Sequence, residues 1–267
     1  MMQYTQFAHD HYTFENIYLP FAVTDTFTQY AGELNQCFIH TWSTDPLVIL
    51  GMRDQQLAQF KKGVDYLHEQ GFQTIIRNAG GLAVVSDPGI LNVTLSFPKQ
   101  LITSIEEGYQ KLLDLLQVSF PQLTIQAGEI VDSYCPGSYD LSVNHQKIAG
   151  LAQRRVANGV AVMMYLSING NQDWRGKLIQ TFYQLAESEK NQIFSFPKVN
   201  PKSMITISEL LQQEWTLKQT IDQLAKHLTI SQQFKTSQWI QSNQLESLLN
   251  QRFQSMLKRN LALKEGL

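Results

Sequence analysis

Two residues whose side chains can do chemistry together, a cysteine and a lysine, lie in one short stretch of the sequence. Cys135 precedes Pro136-Gly137, and Lys147 follows twelve positions later, beyond the polar tip 144–146. A free cysteine is usually a small buried hydrophobic residue, but Cys135 lies in a predicted turn, where reactive groups are common. If residues 140–152 form a hairpin, thiol and amine are folded towards each other. The pair therefore indicates a thiolate nucleophile with a cationic partner.

The other cysteine and the histidines offer weaker chemistry. Cys37 alternates with Ile39 in a predicted strand, which is typical of a core position. His145 lies at the hairpin tip, and the six histidines and two cysteines show no metal-ligand spacing. The alternative of a catalytic base stays open, because a histidine remote in sequence can lie beside Cys135 in the fold. Lys147 is the better partner for Cys135, although a lysine in an apolar strand can also protect a sheet edge against aggregation.

A second candidate site lies where one predicted strand ends. Arg77 closes the strand 73–77, and Gly80-Gly81 follow it. Paired glycines allow backbone N–H groups to approach a ligand closely, although a tight turn alone would also explain them. Asn92, on a later strand, is a candidate for a buried hydrogen-bonding residue.

Length and composition indicate an ordinary globular protein. The chain has 267 residues, 43% of them hydrophobic and 10% aromatic, with a formal net charge of −2. This charge gives no footprint for nucleic acid or an anionic membrane surface, and no apolar run is long enough to cross a bilayer. Residues 1–16 lack the basic and apolar regions of a signal peptide. Because two cysteines make no disulfide framework, we expect a cytoplasmic enzyme or binding protein.

The order of predicted elements indicates an α+β fold. Strands dominate up to residue 168, and helical spacing dominates from residue 170 onward. Regular alternation of strand and helix is lacking, so we expect a mixed, mainly antiparallel sheet flanked by helices. We expect one catalytic domain over residues 1–267, in which 203–267 form a C-terminal helical extension packed on the rest.

Local signals add detail to this order. Ser86-Asp87-Pro88-Gly89 is a strong turn signal and predicts a hairpin between strands 82–85 and 90–97. Thr103 is a candidate N-cap for the helix that follows. Residues 129–132 are a candidate short strand that leads to the cysteine turn.

Two motifs together resemble those of a known family. The first is Arg77-Asn78-Ala79-Gly80-Gly81-Leu82-Ala83-Val84 with Asn92, and the second runs from Asp140 through Lys147-Ile148-Ala149-Gly150 to Gln153-Arg154-Arg155. In this order and separation they resemble the lipoate/biotin protein ligase superfamily, over about the first 170 residues. The segment Tyr134-Cys135-Pro136-Gly137-Ser138-Tyr139-Asp140 is similar to the cysteine-dependent octanoyl transferases of Gram-positive bacteria.

The resemblance implies a function in protein lipoylation. An octanoyl group would move from the octanoylated H protein of the glycine cleavage system to a lysine in the lipoyl domains of 2-oxoacid dehydrogenases. Cys135 would carry it as a thioester, and Lys147 would stabilise the thiolate. Exchanging one amide for another is nearly energy-neutral, so ATP would not be required and we expect no cofactor. We also expect no metal, because the sequence shows no metal-ligand spacing. An acyl tunnel beside the glycines is also implied, and the predicted substrate-binding residues are Arg77, Gly80, Gly81, Ala83, Asn92 and Gly150.

Other functions stay open. The donor could be octanoylated acyl carrier protein, since no short motif marks the donor surface. An ATP-dependent lipoate-protein ligase is a second alternative, although Ala79, Leu82 and Ser86 stand where such ligases usually have serine, glycine and histidine. A binding scaffold, in which Cys135 is a structural turn residue, is a third.

Overall fold

The structure, a computed structural model, describes residues 2–187, 196–261 and 263. In this part of the chain one large sheet has nine strands and a second, small sheet has three. The strands are β1 (Gln3–Phe7), β2 (Asp10–Tyr12), β3 (Cys37–Thr44), β4 (Leu47–Leu50), β5 (Gln73–Ile76), β6 (Val84–Ser86), β7 (Ile90–Pro98), β8 (Gln126–Ala127), β9 (Leu141–Val143), β10 (Gln146–Val156), β11 (Gly159–Ser167) and β12 (Thr229–Phe234). The helices are α1 (Leu19–Leu34), α2 (Phe60–Glu69), α3 (Ile105–Ser119), α4 (Gln172–Ala186), α5 (Ile207–Leu211), α6 (Leu217–Ala225), α7 (Thr236–Ser242) and α8 (Glu246–Arg259).

The large sheet is mixed and mainly antiparallel. Its strand order is β12-β1-β3-β7-β11-β10-β9-β8, and β2 pairs with β3. The pairs from β3 through to β8 are antiparallel, whereas β1 is parallel to β3 and to β12, and β2 is parallel to β3. In the small sheet, β4 lies parallel to β5 and antiparallel to β6. The predicted fold class is confirmed.

Helices cover both faces of the large sheet. Successive side chains of a strand point to opposite faces, so the neighbours Phe38 and Ile39 of β3 mark the two sides. Phe38 packs in a cluster with Phe27 of α1. Ile39 belongs to a cluster with Leu112 and Leu116 of α3. Strand β3 is therefore buried between α1 on one side and α3 on the other.

The hairpin predicted around Ser86-Asp87-Pro88-Gly89 is wrong. The turn exists, because the Ile90 N–H donates to the Asp87 carbonyl. Strand β6, however, pairs with β4 in the small sheet, and β7 pairs with β3 and β11 in the large one. A turn signal predicts a change of chain direction, whereas long-range packing selects the partner of each strand.

Two further local predictions differ from the structure. The N-cap of α3 is Ser104, whose Oγ accepts from the Glu107 N–H. Thr103 instead donates its own N–H and hydroxyl to the Glu107 carboxylate. Residues 129–132 form no strand, because their backbone turns around Asp140, and the Ile130 N–H donates to its carboxylate.

The chain after residue 203 adds a strand as well as helices. Strand β12 pairs in parallel with β1 and extends the large sheet. It was not predicted, because its mostly polar sequence, Thr-Ile-Ser-Gln-Gln-Phe, gives no clear apolar alternation. Trp239 of α7 packs on Phe7 and Phe27. The extension 203–267 stays a prediction, and residues 262 and 264–267 lie outside the described part.

The longest helix in the described ranges is α1, with 16 residues. A helix that crosses a bilayer needs about 20 predominantly apolar residues. No helix in residues 2–187 or 196–261 combines sufficient length with an apolar composition.

Candidate active site

Cys135 is held in a strained turn between β8 and β9. Its backbone φ is 49°, in the left-handed region that residues other than glycine rarely adopt. Such strain persists where surrounding contacts fix it, and it concentrates at functional sites. The Sγ atom accepts a hydrogen bond from the Leu82 N–H at 3.1 Å and one from the Arg77 guanidinium at 3.3 Å. The sulfur therefore faces a backbone donor and a cation.

Residues 77–83, the glycine loop, can approach the sulfur because Gly81 has no side chain. Gly81 has a φ of +105°, and a Cβ there would lie 2.9 Å from Sγ of Cys135 and 2.1 Å from Arg77 Nη2. Around Gly80, by contrast, a Cβ would meet no atom within 4 Å among the described residues. Arg77 Nη2 also donates to the Leu82 carbonyl at 2.9 Å. Of the two glycines, the geometry requires Gly81.

Lys147 is buried and binds the oxygens of the cysteine turn. Its Nζ donates to the carbonyl of Cys135 at 2.9 Å, to the carbonyl of Tyr134 at 3.1 Å and to Oγ of Ser133 at 3.2 Å. It also forms an ion pair with Asp140 at 2.9 Å. Within the described chain, its hydrogen-bond partners are these oxygens and not Sγ. The ammonium therefore fixes the backbone that carries the thiol.

Arg77 and Lys147 thus reach different atoms of Cys135. The sequence predicted Lys147 as the cation beside the thiol and Arg77 as a substrate-binding residue. The structure brings both residues to the site, with the guanidinium at the sulfur and the ammonium at the carbonyl. The role of each in stabilising the thiolate stays a prediction.

Asp140 closes the turn from the other side. It is 2% exposed, and its Oδ2 accepts the N–H groups of Gly137 at 3.1 Å and Ile130 at 3.3 Å. Burial raises the pKa of Asp140, and the Lys147 ammonium and these N–H donors oppose the rise. Two opposite charges can be buried together when hydrogen bonds satisfy their remaining atoms, as they do here.

A buried polar network holds the residue before the cysteine. The hydroxyls of Tyr134 and Tyr165 are hydrogen-bonded to each other. The Tyr134 hydroxyl also accepts from Nε2 of Gln172 at 2.9 Å. Oε1 of Gln172 accepts from Ser167 at 2.7 Å and from Arg175 at 3.2 Å. Since Tyr134 is only 1% exposed, the cysteine turn is anchored in the protein interior.

A cavity of about 270 Å³ lies beside these residues. Its apolar wall includes Phe21, Trp42, Val84 and Met164. Pockets for small ligands are typically apolar with a few placed polar groups, and this cavity has that character. The predicted site residues that line it are Arg77, Gly80, Gly81, Asn92, Cys135, Lys147 and Gly150.

Three predicted substrate-binding residues have distinct surroundings. Asn92 on β7 donates through Nδ2 to Oγ of Ser86 at 3.2 Å. A Cβ at Gly150 would lie 3.5 Å from Cε of Lys147, so the glycine leaves room for the lysine. Ala83 is not among the described residues that line the cavity; it is fully buried, and its N–H points away to a tyrosine hydroxyl.

Comparison with known proteins identifies the family. The lipoyl protein ligase A/B catalytic domain matches residues 16–229 of the chain. The chain belongs to this family. The resemblance that the motifs predicted is therefore confirmed.

Curated relatives of the chain are acyl transferases. An octanoyl-[GcvH]:protein N-octanoyltransferase of Anoxybacillus flavithermus is 41% identical over 211 residues, which are 78% of this chain and 76% of that protein. The enzyme of the same name from Macrococcus caseolyticus is 36% identical over 247 residues, 91% of this chain and 89% of that one. A lipoyl-[GcvH]:protein N-lipoyltransferase of Listeria monocytogenes is 40% identical over 212 residues, with 78% and 76% covered.

Solved structures of lipoate ligases share the fold. A lipoate-protein ligase A bound with ATP superposes with a TM-score of 0.70 at 15% identity, and 95% of each chain is covered. A bipartite lipoate protein ligase with its E2 lipoyl domain, from Thermoplasma acidophilum, gives a TM-score of 0.68 at 16% identity, with 95% of this chain and 93% of that one covered. At such low identity the likeness shows the architecture alone.

Within this family's fold, Cys37 has the surroundings of a core residue. It is 5% exposed and packs in the cluster under α3. Burial raises the pKa of its thiol to about 11, which disfavours the thiolate that nucleophilic chemistry needs. No group of three or more histidine, cysteine, aspartate or glutamate side chains in the described ranges is arranged to hold a metal ion.

Three residues at or behind the site carried no prediction: Asp140, which is near Cys135 in the chain, and Asp54 and Tyr183, which are remote from it. Asp140 stood in the recognised motif without an assigned role. Asp54 lies four positions after the end of the buried strand β4, where nothing in the sequence separates it from an ordinary turn residue. Tyr183 lies in the amphipathic helix α4, where nothing in the sequence separates it from an ordinary core tyrosine.

Proposed function

We propose that this chain is an acyltransferase that moves an octanoyl group from the octanoylated H protein to a lysine of lipoyl domains, through a thioester on Cys135. The observation that carries the proposal is the sulfur of Cys135, held by the Leu82 N–H and the Arg77 guanidinium beside an apolar cavity. The names of the relatives from Anoxybacillus flavithermus and Macrococcus caseolyticus support the acyl group and the donor. The lipoyl domains of 2-oxoacid dehydrogenases follow from the motif resemblance.

The first half-reaction transfers the acyl group to sulfur. The Cys135 thiolate attacks the carbonyl carbon of the octanoyl amide, and a carbon–sulfur bond forms as the carbon–nitrogen bond breaks. The leaving lysine nitrogen takes up the proton that the thiol gave up, so the donor lysine departs as an amine. Negative charge develops on the carbonyl oxygen beside the sulfur. We infer that the Leu82 N–H and the Arg77 guanidinium, which donate to the sulfur in the absence of substrate, also stabilise this oxygen.

The second half-reaction returns the sulfur to its starting state. The acceptor lysine, as a neutral amine, attacks the thioester carbon. A carbon–nitrogen bond forms, the carbon–sulfur bond breaks, and the amine proton returns to the thiolate. Because one amide is consumed and another is made, the exchange needs no nucleotide.

The cavity supplies both binding and protection for the acyl chain. At ~0.8 kcal/mol for each buried CH₂, a fully buried octanoyl chain contributes on the order of 5 kcal/mol to binding. An apolar cavity also keeps water from the thioester, which limits hydrolysis before the acceptor arrives.

Transfer of a lipoyl group is the second candidate. The relative from Listeria monocytogenes, 40% identical to this chain, is named for that activity. A lipoyl group presents the same carbonyl to Cys135 and differs at the far end of the chain, where it carries a dithiolane ring. The choice therefore depends on the room at the end of the cavity and not on the reacting residues.

One assay separates the candidates. Wild-type protein is mixed with an apo lipoyl domain and, in parallel, with octanoylated H protein, lipoylated H protein, octanoylated acyl carrier protein, or free lipoate with ATP. The modified acceptor is followed by intact mass. We expect octanoyl transfer from H protein to be fastest and independent of ATP.

Each other result points to a named alternative. Faster lipoyl transfer from H protein supports the second candidate, and preference for acyl carrier protein changes the donor. ATP-dependent modification that survives Cys135→Ala would mark a ligase, and no modification from any donor would leave a binding scaffold. The cytoplasmic location expected from the sequence stays a prediction.

A further inference from the structure

Behind the glycine loop, a buried aspartate and a buried tyrosine form a chain of hydrogen bonds. Asp54 is 0% exposed. Its Oδ2 accepts the N–H of Gly51 at 2.8 Å, and its Oδ1 accepts the hydroxyl of Tyr183 at 2.9 Å. The Tyr183 oxygen in turn accepts the N–H of Ala83 at 3.2 Å. Neither Asp54 nor Tyr183 is among the described residues that line the cavity, so this chain of contacts serves the loop and not the ligand.

The contacts end on the Leu82–Ala83 peptide, which directly follows the peptide whose N–H faces the sulfur. Leu82 precedes Ala83, and its N–H donates to Sγ of Cys135 while its carbonyl accepts from Arg77. On the other side of the loop, a Cβ at Gly51 would lie 1.8 Å from the Gly81 carbonyl oxygen. The loop is thus confined between the backbone at Gly51 and the hydroxyl of Tyr183, and Asp54 binds both.

The pKa values of Asp54 and Tyr183 are both perturbed, and charged groups at the site contribute to the shifts. Burial raises the pKa of Asp54 to about 6, and the hydrogen bonds from Gly51 and Tyr183 and the charge of Arg77 oppose the rise. Burial also raises the pKa of Tyr183, with contributions from Asp54 and from Cys135. A buried carboxylate is costly to keep, and such groups concentrate at functional sites.

We propose that Asp54 and Tyr183 are positioning residues that hold the Leu82 N–H on the Cys135 sulfur. The hydroxyl fixes the peptide on one side of Leu82, and the carboxylate fixes the hydroxyl together with the backbone against which the loop rests. The expected effect of these two residues on the rate of acyl transfer rests on the proposed function. Their expected effect on the reactivity of the Cys135 thiol rests on the loop geometry alone.

The test compares two tyrosine hydroxyls that each contact an aspartate. Tyr183→Phe removes the contact with Asp54 and the acceptor of the Ala83 N–H. Tyr12→Phe is the matched control, because Tyr12 is 4% exposed and donates to Asp10 at 3.4 Å, away from the cavity. The measured quantities are the alkylation rate of Cys135 with iodoacetamide, kcat and KM for transfer, and the urea midpoint.

We expect Tyr183→Phe to lower both the alkylation rate and kcat about tenfold, less than the ~10²–10³ that follows outright loss of an oxyanion donor. The KM of Tyr183→Phe should stay near the wild-type value. The alkylation rate, kcat and KM of Tyr12→Phe should also stay near their wild-type values. Asp54→Asn should lower the alkylation rate and kcat by less than Tyr183→Phe does. Its amide oxygen can still accept from either the Tyr183 hydroxyl or the Gly51 N–H, whereas its NH₂ group faces the other donor without accepting from it. This variant carries the test if Tyr183→Phe does not fold.

Unchanged alkylation and kcat in Tyr183→Phe would overturn the proposal. Equal losses in the two phenylalanine variants would also overturn it, since they would reflect general destabilisation. Failure of the proposed function is distinguishable: a wild-type protein without acyl transfer would still report the loop geometry through alkylation of the thiol.

Discussion

The two cations nearest Cys135 contact different atoms of that residue. The Arg77 guanidinium donates to Sγ, and the Lys147 ammonium donates to the carbonyl oxygen. A cation that donates to sulfur stabilises the thiolate directly. A cation on the carbonyl instead helps to hold the left-handed backbone that aims the thiol. Single substitutions at these residues should therefore affect different measurements.

Replacing Arg77 should slow the chemistry of the thiol. A hydrogen bond to a charged group contributes ~1.5–3 kcal/mol, so Arg77→Gln should lower the alkylation rate of Cys135 near neutral pH by about tenfold or more. The control is Arg155→Gln on the exposed side of β10, which has no contact with the sulfur. Equal alkylation rates in Arg77→Gln and wild type would show that the guanidinium does not support the thiolate.

Replacing Lys147 should destabilise the fold. Lys147→Met leaves the carboxylate of Asp140 without its buried partner, a change that typically costs ~3–5 kcal/mol. Burial raises the pKa of Asp140 although the Lys147 ammonium opposes the rise, so removing the ammonium should raise this pKa further. The stability penalty of Lys147→Met should therefore be small where Asp140 is protonated and should grow as the pH rises through the pKa that Asp140 has in the folded variant.

Urea unfolding below and above neutral pH measures the effect of Lys147→Met. Lys61→Met is the control, because the Lys61–Asp65 pair is exposed on α2 and such pairs contribute about 0–1 kcal/mol. A loss of stability in Lys147→Met no larger than in the control would contradict the structural role given to the ammonium.

At the scale of elements, the site depends on where the glycine loop passes the cysteine turn. Both segments are local in sequence and carry recognisable residues, so they could be predicted. The hairpin between β9 and β10 was also predictable, because the polar tip 144–146 separates two apolar runs. The structure has the two-residue turn at Asn144 and His145, with φ of 50° and 64°. The partners of β6 and the existence of β12 were not predictable, since contacts remote in sequence decide them.

The two adjacent glycines should respond differently to the same substitution. Gly81→Ala forces a Cβ against Arg77 and the sulfur at a φ that disfavours side chains, so kcat should fall by ~10²-fold or more through loss of the loop geometry. Gly80→Ala meets no described atom within 4 Å, so it should keep the loop geometry and a kcat near that of wild type, and any effect of the added methyl group in the cavity should appear in KM. Similar activities of the two variants, measured at matched folded fractions, would contradict the described approach of loop and thiol.

At the scale of the whole molecule, the residue that follows helix α8 binds the backbone of strand β5, which leads into the site. Asn260, which is 0% exposed, accepts the Ile76 N–H at 2.7 Å and donates to the Ile76 carbonyl at 3.1 Å. Ile76 ends β5 and precedes Arg77. Contacts such as this one, and that of Asp54 with Tyr183, join residues that no local pattern connects, which is why the sequence could not predict them.

Removing the contact between Asn260 and Ile76 should lower both the stability of the fold and the reactivity of Cys135. Asn260→Ala leaves two buried backbone groups unpaired at ~1–3 kcal/mol each, so the free energy of unfolding should fall by a few kcal/mol and alkylation of Cys135 should slow. Asn243→Ala is the control, because its amide donates to the Trp239 carbonyl away from β5. An unchanged alkylation rate of Cys135 in a folded Asn260→Ala protein would show that the Asn260 contact does not influence the site.

The most direct test of the account is to isolate the acyl-enzyme. Protein is incubated with octanoylated H protein and no acceptor, and intact mass with peptide mapping locates any adduct. We predict one octanoyl group on Cys135, an unchanged adduct in Cys37→Ala, and its discharge when an apo lipoyl domain is added. Octanoyl transfer by Cys135→Ala at the wild-type rate would contradict the central claim that this thiol carries the acyl group.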